Sequence, residues 1–289
     1  MSVRPSSAHD RAPSTDTLLL ALAPAVTVDI ICTMRERTPF TKSLIDRLPN
    51  LRFVTTTAVR NRGLDLTAFT ERKIPVVTAP GGVGVASGTT EHTWALILGA
   101  LKGLARDHTA VMAGAGREKD KPWQTATNPA IGGKATLGLV GFGRLGQALL
   151  PVARALSFKS VIAWSPNLTA ERIASSGPLA EGVELASSLD DLLKRSDVVS
   201  LHLVSSPSTR HIIGAAELDK MRPGAIIVNT SRGALIDTDA LVDALRENKI
   251  GGAALDVYEE EPLTSGNPFE GLNNVTCVAF SSPDGRRPH

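Results

Sequence analysis

The stretch from Asn229 to Pro262, NTSRGALIDTDALVDALRENKIGGAALDVYEEEP, carries the residues of this chain best suited to chemistry. An apolar run, Ala225 to Val228, delivers Arg232 on a turn. A second apolar run ends in Asp256, and Glu261 stands just before a proline. A guanidinium is a fork of N–H donors that can bind the carbonyl and the carboxylate of a 2-oxo acid together. Two strand ends that present a guanidinium and a carboxylate suit a site that grips a small anionic substrate and tunes a proton donor. Glu259 and Glu260 complete an acidic run with Glu261; such runs are usually solvated, and that is the expectation for the first two.

A second constellation is Gly141-Phe-Gly143-Arg144-Leu145-Gly146, between an apolar run and a helical stretch. In such a loop Gly141 permits the tight turn and Gly143 lets the backbone approach a pyrophosphate. Gly146 lets the helix close on the sheet, and the amides of Arg144 and Leu145 face the phosphates. The residue that reads the adenosine ribose lies at the end of the next strand, at Ser165. An acid there would bond the ribose diol and repel a 2′-phosphate. Serine does neither strongly, and no Arg or Lys follows before Arg172, so NAD and NADP both stay open.

The elements that must hold these residues follow βαβ grammar. Strands are expected at 28–32, 52–56 and 75–77, with helices at 41–48 and 66–73 between them. A glycine-rich connection, Pro80 to Gly88, leads to a long apolar-faced helix opening at Thr89-Thr90-Glu91 and running on through Gly114. Further strands are expected at 136–140, 160–164, 198–203, 225–229, 252–257 and 275–280. The fold class is therefore α/β: a doubly wound Rossmann-type domain plus a smaller α/β domain. The expected division is an atypical, disordered segment 1–27, a partial substrate domain 28–90, a dinucleotide-binding domain 91–280 and a polar tail 281–289.

Composition narrows the class. At 289 residues two domains are the natural expectation, and 42% hydrophobic residues can fill both cores. A net charge of +2 with scattered Lys and Arg gives no nucleic-acid footprint. No His and Cys spacing suggests a metal, and no apolar run is long enough to span a membrane. Asp10, Asp16 and Pro24 fit a signal peptide poorly. Cys32 and Cys277 form no CxxC and read as buried thiols of a reducing compartment, so the expected location is cytoplasmic.

The block around NTSRG and DVYEEEP, with the glycine loop, closely resembles the D-isomer-specific 2-hydroxyacid dehydrogenases, the group that includes phosphoglycerate dehydrogenase. The resemblance covers about residues 28–278 and implies a flavodoxin-like smaller domain, NAD or NADP as cofactor, and a small 2-oxo or 2-hydroxy acid as substrate. It implies that Leu203, Val204 and Thr209 line the cofactor, that Thr230 and Ser231 contact it by backbone, and that Asp256 bonds its nicotinamide side. The serines between them, Ser205, Ser206 and Ser208, read as plain loop chemistry. Ala58, Val59 and Arg60 fall on the family's substrate loop, where backbone amides hold a carboxylate; Ala58 stands at the usual glycine. Arg232 would orient the substrate, and Glu261 matches the acid that pairs with a histidine, keeping a general acid protonated.

The resemblance also departs at the ends. Phe280 stands where the family carries that histidine, and the family's return helix has no counterpart in Ser281 to His289. His289 is too late on a polar tail to serve, and His202 and His211 read as structural. Residues 1–27 do not match the family's first strand and helix. Three readings follow: a 2-hydroxy acid oxidoreductase with impaired proton delivery, a catalytically silent dinucleotide-binding sensor or scaffold, or the product of a truncated gene model. A homodimer is the assembly kept in view.

Overall fold

A computed structural model describes residues 28–33, 38–56, 61, 63–78, 85–114, 131–261 and 263–278. The expected N-terminal segment 1–27, the substrate-loop residues Ala58, Val59 and Arg60, and Phe280 with the tail 281–289 lie outside the described residues. The chain divides into two compact units between Val85 and Ala86.

The first unit holds a three-stranded parallel sheet in the order β1 (Ile30–Thr33), β2 (Phe53–Thr56), β3 (Val76–Thr78). Parallel neighbours need crossovers, and the helices Lys42–Asp46 and Leu66–Glu71 supply them. Leu44, Ile45, Leu48, Val54 and Phe69 form the core. Asp65 caps the second helix by accepting the Ala68 amide at 3.0 Å. Arg72 closes the end of the first helix, donating to the carbonyls of Ile45, Leu48 and Pro49.

The second unit is built on a seven-stranded sheet, all parallel, in the order β10-β9-β8-β7-β4-β5-β6. The strands are β4 (Thr136–Val140), β5 (Ser160–Trp164), β6 (Val183–Leu185), β7 (Val198–Leu201), β8 (Ile226–Asn229), β9 (Gly252–Leu255) and β10 (Val275–Cys277). The chain runs outward from β4 through β6, then returns to β7 on the other side of β4. That reversal opens a crevice at the carboxyl ends of β4 and β7, where ligands bind in such sheets. Strands β4, β7, β8 and β9 are buried along their whole length, which explains their unbroken apolar runs. Alternate residues feed two cores: Leu137, Leu139, Ile226 and Val228 face one side with Trp94, Ile97 and Leu150. Val140, Val199, Leu201 and Ile227 face the other with Leu192, Leu218, Leu241 and Leu245.

Four expectations are corrected. The long helix is two, Val85–Leu101 and Leu104–Met112, separated at Gly103 with φ +62°. The second buries no side chain, so nothing in a core holds it collinear with the first. The first begins at Val85, so Thr89-Thr90-Glu91 lies inside it, and residues 85–88 of the glycine-rich stretch are helical. Strand β6 was not expected; it is a short edge strand of three residues, two of them exposed, with too little apolar pattern to announce itself. Finally, Cys32 and Cys277 are exposed, each on a strand at one edge of its sheet.

Candidate active site

Several expected strands end early, and this places the chemistry. β7 stops at Leu201 and β9 at Leu255, so His202, Leu203 and Asp256 lie in the exits at the carboxyl edge. At the exit of β4, Gly141 has φ +108°, and a side chain there would run into the backbone of His202 and Leu203. Its amide donates to the Trp164 carbonyl at 2.7 Å, so the turn is tied to the exit of β5. Gly143 is different. It is exposed, its φ is ordinary, and a Cβ built on it meets nothing within 4 Å. The space above Gly143 and Arg144 is open for a ligand to reach the backbone, while Leu145 is half-buried and Gly146 fully buried against Gly141. This cradle fits a dinucleotide pyrophosphate.

His202 lies below the same turn. Its Nε2 is 2.9 Å from Ser200 Oγ, and its Nδ1 is closed off from solvent without a hydrogen-bond partner. Burial alone pushes its pKa down to about 4, so the ring is neutral at physiological pH. After it, Leu203 is half-buried and Val204 exposed. Thr209 is buried, and its hydroxyl is spent inside the loop: it accepts the Ser206 amide and donates to the Val204 carbonyl, both at 2.8 Å. Ser206 and Ser208 bond each other at 3.0 Å.

The exit of β8 shows how Arg232 is presented. Asn229 is buried; its Oδ1 accepts the Ser231 amide at 3.0 Å and its Nδ2 donates to the Arg232 carbonyl at 2.9 Å. The Ser231 hydroxyl donates to the Leu203 carbonyl at 2.7 Å, and the Thr230 hydroxyl lies 2.8 Å from that of Thr93. Gly233 follows because the backbone of Tyr258 and Glu259 lies where any Cβ would be. The turn is thus clamped on three sides while the Arg232 side chain stays exposed, its Nη1 donating to the Ser231 carbonyl at 2.8 Å.

Asp256 sits one residue past β9, its Oδ1 3.3 Å from His92 Nε2. Glu261 is exposed and accepts the Tyr258 amide at 3.1 Å. The expectation for Glu259 is overturned. It is not a solvated face residue: its side chain is 19% exposed. It accepts from His211 Nε2 at 2.6 Å, from Arg210 at 3.0 Å and from the Thr238 hydroxyl at 3.0 Å. Burial pushes its pKa up, but the bonds from His211 and Thr238 outweigh this and hold it below the usual carboxylate value. Tyr258 Oη lies 2.9 Å from the carbonyls of both Leu255 and Val278, and burial, with the Cys277 and Asp256 charges, pushes its pKa far up.

Ser165 follows β5 directly, and its carbonyl accepts the Leu168 amide at 3.1 Å. Arg172 returns to this loop, donating to the Asn167 carbonyl at 2.8 Å. The strand order thus gathers the glycine turn, the exits of β5 and β7, Arg232 and Asp256 along one edge. Asn229, His92, Thr93 and Glu259 were not found as positioning residues by reading the sequence. Only Asn229 had a local signal, since asparagine before a turn folds back on the backbone two residues on. Among the described residues no group of three or more His, Cys, Asp and Glu could hold a metal ion, and no helix is long and apolar enough to cross a membrane.

Residues 94–282 match the family described as D-isomer specific 2-hydroxyacid dehydrogenase, NAD binding domain. The chain is 37% identical over 238 residues to a glyoxylate reductase of Thermococcus litoralis, covering 82% of this chain and 69% of that protein. It is 36% identical over 245 residues to a D-3-phosphoglycerate dehydrogenase of Methanocaldococcus jannaschii, covering 85% of this chain but only 44% of that one. Among solved structures, the TT0316 protein of Thermus thermophilus superposes with a TM-score of 0.76 at 32% identity, over 90% of this chain and 78% of that one. By these matches the chain belongs to the D-isomer-specific 2-hydroxyacid dehydrogenase family, NAD(P)-dependent oxidoreductases of CH–OH groups.

Proposed function

We propose that this chain binds NAD or NADP over Gly141, Gly143, Arg144, Leu145 and Gly146, that Arg232 orients a small 2-oxo or 2-hydroxy acid, and that proton delivery in this chain is weak. The observation that carries the reading is the clamped turn Asn229–Gly233, which commits three hydrogen bonds and a glycine contact to presenting one exposed arginine. The bound dinucleotide supplies or accepts the hydride at C2 of the acid. Arg232 would bind the carboxylate and polarise the carbonyl with its N–H fork. Ser165 and the nearby Arg172 leave both cofactors admissible. Glyoxylate and hydroxypyruvate are the first substrates to try, and a homodimer is the assembly to test by light scattering.

Weak proton delivery rests on Phe280, which stands at the place of the family histidine and cannot donate a proton. A positioned general acid contributes ~10²–10⁴ in rate. Stopped-flow oxidation of NADH and NADPH with both acids should therefore be slow, and Phe280→His should be faster. Turnover by the unaltered chain within the usual ~1–10³ per second would overturn the proton-delivery part. Slow turnover that Phe280→His leaves unchanged, with dinucleotide binding intact, favours the second reading, a catalytically silent binding protein.

A further inference from the structure

His92 is not among the residues proposed to touch the cofactor or the substrate. It lies on the helix Val85–Leu101, beside Thr93, and consecutive residues of that helix meet consecutive strand exits. Thr93 bonds Thr230, one residue past β8, and His92 meets Asp256, one residue past β9. Thr93 is fully buried and also donates to the Thr89 carbonyl at 2.7 Å, so the register of the helix against the sheet edge is set next to His92. The ring is only partly exposed, and Nε2, the atom that approaches Asp256, has no access to solvent. At 3.3 Å the ring nitrogen and the carboxylate oxygen lie within ion-pair distance, without the alignment of a hydrogen bond. Two groups so placed interact strongly when the ring is protonated and weakly when it is neutral.

We propose that His92 is a positioning residue: its protonated ring holds the Asp256 carboxylate at the sheet edge, so dinucleotide capture becomes dependent on the charge of His92. This rests on the proposed cofactor reading, in which Asp256 faces the nicotinamide side. Glu91 on the same helix is exposed. Tyr258 feels the Asp256 charge and is itself beside Cys277 on β10. Arg232 stands on the neighbouring exit of β8. Tyr258 stays neutral through the physiological range because burial disfavours its phenolate. Histidine is the side chain that ordinarily changes charge between about pH 5 and 8.

The test is the affinity of the full chain for NADH, read by nicotinamide fluorescence from pH 6 to pH 8.5, with His92→Gln, Asp256→Asn and the double variant. The wild type should bind severalfold more tightly at pH 6 than at pH 8.5. His92→Gln should flatten that dependence, and in the Asp256→Asn background it should change nothing further, because coupled residues are not additive. A pH dependence that His92→Gln leaves unchanged overturns the inference, as does full additivity. Wild type that binds neither NADH nor NADPH at any pH overturns the cofactor reading instead. If His92→Gln does not fold, the His92 ring is followed by NMR in the wild type. Its titration should move when Asp256 is replaced by Asn, and an unmoved titration overturns the inference.

Discussion

The Ser231 hydroxyl donates to the Leu203 carbonyl at 2.7 Å and so ties the exit of β8 to the exit of β7. This bond joins the turn that presents Arg232 to the loop below the glycine turn. Ser231→Ala leaves a part-buried carbonyl without that donor. It should cost about 1 kcal/mol of stability, the usual worth of such a bond. It should also weaken NADH binding, because two loops on one edge lose their register. Urea unfolding and a fluorescence titration on the same preparation decide it; unchanged values in both would show the tie to be incidental.

Gly143 and Gly141 should fail in different ways. A side chain at Gly143 points into open space, so Gly143→Val should fold normally and lose dinucleotide binding. At Gly141 the φ of +108° and the crowding by His202 make Gly141→Ala a folding defect first. Strain of this kind costs ~1–3 kcal/mol before any steric clash is counted. Calorimetric titration and thermal midpoints separate the two, and equal NADH affinity for wild type and Gly143→Val would remove the cradle from the site.

His202 should make the protein acid-sensitive. Its folded pKa, about 4, lies below the ordinary histidine value of 6.5. Above 6.5 the ring is neutral in both states and costs nothing. As pH falls from 6.5 toward 4 the unfolded chain binds the proton and the folded chain does not, so stability is lost across that window and levels off below it. At ~1.4 kcal/mol per pH unit the loss is up to about 3 kcal/mol. Urea midpoints from pH 4.5 to 7.5 should show this slope, and His202→Asn should reduce it.

Glu259 acts at lower pH with its own sign. Its folded pKa is depressed, so its stabilisation is fully present above the unfolded carboxylate value and is lost as pH falls through the folded one. Glu259→Gln keeps the shape but removes the charge that His211 and Arg210 share. A loss of ~1–3 kcal/mol at pH 7 is expected, shrinking as pH falls into the carboxylate range. A pH-independent loss would place the effect in packing rather than charge.

Cofactor choice should be weak. Ser165 can neither repel a 2′-phosphate nor compete strongly for the ribose diol. NADH and NADPH titrated against one preparation should differ by less than about a hundredfold, or ~2.7 kcal/mol. A larger preference for NADPH that Arg172→Ala abolishes would mean that Arg172 leaves the Asn167 carbonyl to read the phosphate.

What the sequence determined by itself was encoded within a few consecutive residues. The apolar runs of β4 and β5 appear at their full extent, 136–140 and 160–164, because each is a short run bounded by turn-forming or polar residues, although β4 is buried throughout and β5 only in part. The glycine loop was legible because a strand, a tight turn and a helix start occupy adjacent positions. The apolar runs of β7 and β9 were too long a guide, since Leu203 and Val257 pack against the core or are buried although the ladder has already ended. Which carboxylate of Glu259-Glu260-Glu261 is anchored depends on His211 and Arg210, 48 and 49 residues away. The approach of His92 to Asp256 and the bond between Thr93 and Thr230 join one helix to the exits of two strands far along the chain. Pattern and propensity report only what a residue does to its neighbours in sequence; strand order and the packing of helices on the strand exits decide which distant side chains share an edge, and together they set His92 against Asp256.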